Sequence, residues 1–216
     1  LKLVQPGNHL NADDMARQRS DESGLPLIEC ERWAFEEVRN LQDQFRAQKR
    51  SFSYETVLSH QSHLDRAAQA RRAGYHTRLV YIFLSSPDAN VRRVANRVRQ
   101  GGHDIPEEKI RQRYVRSLAL LRPAVTVFNS VMALTNEGAE PADSLKLIAM
   151  QGIIQVRADL DELISRLAPD APSWSTLGFV QGLSMGTWAE HSRDAGNLSE
   201  SRLELAGRRK EMLRAF

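Results

Sequence analysis

A single cysteine, Cys30, excludes any intrachain disulfide, and its isolation fits a reducing compartment. No apolar run approaches the roughly 18 residues of a membrane-spanning helix, so a membrane is not expected as a partner. The opening LKLVQPGNHL has neither a long apolar stretch nor a small-residue cleavage site. No secretory leader is therefore expected, and the expected location is cytoplasmic. A marked excess of charge is missing too. Thirty basic and 27 acidic residues leave a net +3, too balanced for nucleic acid to be the expected partner. No Gly-x-Ser-x-Gly surrounds Ser51 or Ser53, so serine hydrolase chemistry has little support. His60 and His63 stand three apart with no third ligand at a telling spacing, and no metal site is expected from them.

What is present is enough for a real core, with 41% apolar residues. Leu10 to Ala12 reads as the end of a short strand, followed by capping residues for a helix through Arg17. Ile28 to Lys49 reads as a long helix with Ala34, Val38, Leu41 and Phe45 on one face. Ser51 to Val57 reads as a strand. Gln61 to Ala73 reads as a helix with Gly74 at its C-terminal cap. Leu79 to Leu84 is a nearly continuous apolar run, which suits a strand covered on both faces of a parallel sheet. Asp88 to Gln100 is a further expected helix, ended by Gly101-Gly102, and Pro106 opens the next. Pro123 is expected to bend or break that helix. Val131 to Leu134 reads as a strand, Ser144 to Met150 as an edge strand, and the chain from Ile153 as helical. The expected division is an α/β core over 1–152 and a helical C-terminal extension over 153–216.

Strands alternating with helices predict a parallel sheet flanked by helices, with ligands beyond the carboxyl ends of its strands. The loops after Leu10, Tyr54 and Leu84 then matter most. They carry Asn11 and Asp13, Glu55 and Thr56, and Ser85 and Ser86. Asp13 could take a proton from an attacking hydroxyl or could be a helix N-cap, and spacing alone favours the cap. Glu55 could hold a substrate hydroxyl or be a surface acid at a loop start. The two arginine-studded helices on either side of Gly101-Gly102 suit a lid that closes on phosphates, because guanidinium binds phosphate oxygens bidentately. Arg97 and Arg113 flank the hinge and lead, with Arg99 and Arg111 as close alternatives. The competing reading of these arginines is solubility and helix ion pairs such as Glu107 with Arg111.

NADDMAR, RSFSYETVLSH, AGYHTRLVYIFLSSPDANVRRVANRVRQGGHDIPEEKIRQRY, LLRPAV and VMALTNEG, in this order over roughly residues 8 to 138, resemble the zeta toxin family. These are P-loop kinases of bacterial toxin–antitoxin systems. The resemblance implies a P-loop-kinase-like fold and phosphorylation, from ATP or GTP with Mg²⁺, of a hydroxyl on a nucleotide sugar such as UDP-N-acetylglucosamine. It implies that Asp13 matches the catalytic carboxylate and Glu55 the acid of the substrate-binding strand end. It also implies that Arg97 and Arg113 match phosphate-contacting arginines, and that an antitoxin protein is a partner. One departure stands out: the family's GxxxxGK[ST] segment is found nowhere in this sequence. Three readings account for it: an upstream segment of the same protein, a segment supplied by another chain, or a relative that binds without catalysing. The first is preferred here because Leu1 is not an initiator residue. Non-catalytic nucleotide-binding or protein-interaction modules, and nucleic-acid kinases or binders, are the competing functions.

Overall fold

The computed structural model describes residues 8–99, 104–137, 145–150, 153–174 and 180–181. It divides into two compact units, one up to Val57 and the other from Leu58 onward.

The first unit is a short parallel strand pair and a helical hairpin. Strand β1 (His9–Leu10) runs beside β2 (Ser53–Tyr54), with His9 opposite Ser53 and Leu10 opposite Tyr54. Helix α1 (Ala12–Ser23) ends on Gly24 at φ +69, whose N–H reaches back to the Ser20 carbonyl. Glycine takes that left-handed conformation without steric penalty. Helix α2 (Leu27–Ala47) buries Cys30, Ala34, Val38 and Gln42, a stripe at four-residue spacing. Leu41 and Phe45, expected on the buried face, are only half-buried. Ala16, Cys30 and Ala34 pack as a small cluster between the helices, and such small side chains let two helix backbones approach.

The second unit is a five-stranded sheet in the order β3-β4-β5-β6-β7. Its elements are α3 (Ser62–Arg72), β3 (Arg78–Phe83), α4 (Pro87–Arg99), α5 (Glu107–Val127), β4 (Ser130–Thr135), β5 (Leu145–Met150), β6 (Ile153–Val156), α6 (Ala158–Leu167) and β7 (Val180–Gln181). Tyr81 and Phe83 of β3, Val131 and Ala133 of β4, and Leu147 and Ala149 of β5 share a core with Leu118 and Leu121 of α5 and with Leu160 and Ile164 of α6. Burial pushes the Tyr81 hydroxyl up to about 12, opposed by its hydrogen bond with Ser117.

The α/β class is as expected, and β3–β4 is a parallel pair. The sheet is mixed rather than parallel throughout, since β4–β5 and β5–β6 are antiparallel. β5, expected at an edge, lies in the interior, where Leu147 and Ile148 have no exposed surface. Residues 153–156, expected to begin a helical extension, form β6, and α6 packs into the same core. The division into compact units falls at Val57 rather than at 152. β3 is the outer strand, and its Ile82 is 60% exposed, so it is not covered on both faces.

Pro123 does not break α5, which continues to Val127. Proline removes one N–H, and the end of the helix is well supplied with partners. Arg71, in the last turn of α3, donates to the Thr126 and Val127 carbonyls at 2.8 Å each. The Gly74 expectation holds, at φ +87 just past α3. Gly101 and Gly102 lie outside the described residues.

Candidate functional site

The carboxyl end of the β1–β2 pair gathers polar side chains because the strands run parallel. Asn11 follows β1 and Glu55 follows β2, one step beyond the paired Leu10 and Tyr54. Asn11 is the N-cap of α1: its Oδ1 accepts from the Asp13 N–H at 2.9 Å and the Asp14 N–H at 3.2 Å. Backbone N–H groups only donate, so the other end of the amide is its NH₂. That Nδ2 donates to Glu55 Oε2 at 3.3 Å. One amide thus satisfies two orphan donors of the helix and holds the acid of the neighbouring strand.

The cap is therefore Asn11, and Asp13 is the second residue of the helix, in its first turn. Asp14 pairs with Arg17 at 2.7 Å. The Asp13 carboxylate is exposed and has no hydrogen-bond or ionic partner among the described residues. Thr56 is exposed, directly after Glu55. Asn11→Ala should cost about 1 kcal/mol through loss of the cap, the usual size for such a change. Chemical denaturation measures this, and a change below a few tenths would mean that the cap bonds are replaced by water.

The lid arginines belong to the second unit and do not behave alike. Arg111 donates to Glu107 at 2.7–2.8 Å and reaches Asp88 on α4 at 2.6 Å. Hydrogen bonds to Glu107 and then Asp88 raise its guanidinium further above the ordinary value. The expected helix ion pair is present, and Arg111 is occupied with it. Arg99 is hydrogen-bonded to Asn96. Arg97 is exposed in the last turn of α4. Arg113 is half-buried on α5, with no hydrogen-bond or ionic partner among the described residues. Ser86 accepts from the Ala89 N–H at 3.2 Å and so caps α4.

The second unit also has a cleft of about 530 Å³ at the carboxyl ends of β3 and β4, lined by Phe83, Ser85, Thr135, Glu137, Lys146 and Arg166 among others. Glu137 accepts from the Ser85 N–H at 2.6 Å, and Lys146 meets Asp159 at 2.6 Å. The Tyr114 hydroxyl donates to the Leu84 carbonyl at 2.8 Å, and burial raises its pKa, the nearby Glu137 charge adding to the effect. His60 Nδ1 accepts from the Ser62 N–H at 3.2 Å, a turn contact. Among the described residues no cluster of three metal-ligating side chains occurs. No helix among them is long and apolar enough to cross a membrane.

One residue of the first unit, His9, is not singled out by the sequence, and Ser53 is considered there only as a hydrolase serine. His9 Nε2 lies 3.3 Å from Glu55 Oε1, and His9 Nδ1 lies 2.8 Å from Ser53 Oγ. The signal was available: His9-x-Asn11 and Ser53-x-Glu55 place like-facing residues two apart on adjacent parallel strands.

No protein-family profile matches the chain. An uncharacterized protein of Haemophilus influenzae is 35% identical over 63 residues, covering 29% of this chain and 45% of the relative, so the chain spans less than half of that protein's length. Among solved structures, a chain from the PezAT chromosomal toxin–antitoxin system of Streptococcus pneumoniae is similar at 12% identity and a TM-score of 0.47. That likeness covers 96% of this chain and 74% of the other.

Proposed function

We propose that this chain acts as a kinase of the zeta toxin type. It would transfer the γ-phosphoryl group of ATP or GTP to a hydroxyl of a nucleotide sugar, such as UDP-N-acetylglucosamine, or of another small molecule. The observation that carries the reading is the Asn11 amide. It joins the helix start bearing the unpartnered Asp13 to Glu55 at the carboxyl end of a parallel strand pair. Asp13 takes the proton of the attacking hydroxyl, and Glu55 binds the acceptor. Arg113 and Arg97, on the second unit, are the residues whose chemistry suits charge on a transferring phosphoryl group. An antitoxin protein is the proposed macromolecular partner.

The chain's own residues do not fit a triphosphate with Mg²⁺ by themselves. The sequence has no GxxxxGK[ST] to supply the backbone cradle, the lysine and the metal-binding hydroxyl. The reading therefore requires that cradle from outside residues 1–216. The outer position of β3, an apolar parallel strand with Ile82 exposed, fits a sheet that takes a further strand. The same missing cradle favours one other reading, a nucleotide-binding or protein-interaction module without catalysis.

The test is phosphoryl transfer from ATP to UDP-N-acetylglucosamine by a protein in which the cradle is present. Arg113→Ala is expected to lower kcat by about 10²-fold or more, with acceptor KM changed little. Arg113→Lys should recover only part of this, because an ammonium cannot reproduce the planar fork. A kcat for Arg113→Ala within about twofold of wild type would make Arg113 a solvated surface residue and remove it from the mechanism.

A further inference from the structure

Glu55 is held more firmly than an exposed acid at a strand end needs to be. Its side chain is 64% exposed, yet each oxygen has a donor from β1 or the turn that follows it. Asn11 Nδ2 takes Oε2, and His9 Nε2 takes Oε1, both at 3.3 Å. A carboxylate can only accept, so the proton of that contact sits on His9 Nε2. In the neutral ring Nδ1 is then an acceptor, and the Ser53 hydroxyl at 2.8 Å donates to it. With the ring neutral, the hydrogen bonds run in one direction, from Ser53 through His9 to Glu55. The register explains the chain of contacts, since His9 lies directly opposite Ser53, two residues before Asn11 and Glu55.

We propose that His9 is a positioning residue that fixes the Glu55 carboxylate for the acceptor, an inference that rests on the acceptor role given to Glu55 above. An exposed histidine–glutamate pair adds little to stability. Its use is to orient. A glutamate on three free torsions must be ordered when a ligand arrives, and one already held by two donors has less freedom to lose. The two oxygens keep unused lone pairs for hydroxyls of the acceptor.

The experiment is calorimetric titration of the full chain with UDP-N-acetylglucosamine as the probe, with a thermal melt of each variant. His9→Phe should weaken binding by about tenfold, the scale of one lost orienting hydrogen bond, with the melting temperature unchanged. His9→Gln should restore most of the affinity, because its amide N–H can donate where Nε2 did. Ser53→Ala should have a smaller effect than His9→Phe, because it acts one contact further away. Glu55→Gln distinguishes the two levels of the argument. If it leaves binding unchanged, or if wild type does not bind the probe, Glu55 is not the acceptor group and this inference falls with that role. If Glu55→Gln weakens binding and His9→Phe does not, the acceptor role stands and the positioning role of His9 is overturned. A loss with His9→Phe that His9→Gln fails to restore, or that follows a lowered melting temperature, also overturns it.

Discussion

Asp13→Asn is expected to lower turnover by about 10²–10⁴-fold while leaving ATP affinity nearly unchanged, the usual loss when a positioned general base is removed. Asparagine keeps the shape of the side chain but cannot take the proton. The variant is a clean probe because the helix cap is Asn11, not Asp13. Asp14, the neighbouring acid, is tied to Arg17 and cannot readily substitute. No folded-state partner is lost among the described residues, so stability should move by no more than about 0.5 kcal/mol. Steady-state kinetics at saturating ATP and acceptor, beside a melt, measures both quantities. Turnover within about twofold of wild type would leave Asp13 as a solvated first-turn carboxylate.

Asp161→Ala should produce the largest loss of stability, about 3 kcal/mol, the lower end of the cost of breaking a buried pair, because the arginine is buried while the Asp161 side chain is 33% exposed. Arg122 on α5 has a side chain only 7% exposed and donates through Nη2 to Asp161 Oδ1 at 2.7 Å and to Ser165 Oγ at 2.8 Å. The same Asp161 oxygen accepts from Trp174 Nε1 at 2.8 Å, and the Arg122 guanidinium lies 5.1 Å from the Trp174 ring centre. Arg122 Nε is buried with no hydrogen-bond partner among the described residues, and without the carboxylate the guanidinium keeps only the neutral acceptors Ser165 Oγ and the Ala171 carbonyl. For a chain of this size the melting temperature should fall by roughly 6–12 °C. Arg122→Met combined with Asp161→Leu should lie much closer to wild type, because an apolar pair removes the burial penalty along with the attraction. A loss below about 1 kcal/mol for Asp161→Ala would mean that water replaces the carboxylate.

Local signals carried the first half of the fold. The apolar run Leu79 to Leu84 announced β3, Gly74 the end of α3, and Pro106 the start of α5. Pairing partners were not legible, because they depend on residues far along the chain. β5 alternates just enough at Lys146 to resemble an edge strand, yet that lysine is satisfied by Asp159 across the β5–β6 hairpin and into α6. β6 is four residues long and leads almost directly into α6, so its apolar run merged with a helical pattern. Pro123 looked like a helix end because the Arg71 side chain that serves the last carbonyls comes from α3. At the site, Asn11, Asp13 and Glu55 were visible from their place after strands. The choice of Asn11 as the cap, and the approach of His9 to Glu55, needed the strand register.

The measurement that bears most directly on the proposed activity is transfer of label from radiolabelled ATP to UDP-N-acetylglucosamine, run with a protein in which the phosphate cradle is present and with its Asp13→Asn variant. The expected result is metal-dependent label on a sugar hydroxyl with wild type, and a loss of about 10²-fold or more with Asp13→Asn at unchanged melting temperature. Label transfer that Asp13→Asn does not slow, or no transfer to this or any other small hydroxyl acceptor while ATP still binds, would contradict the assignment of Asp13 as the base of a kinase.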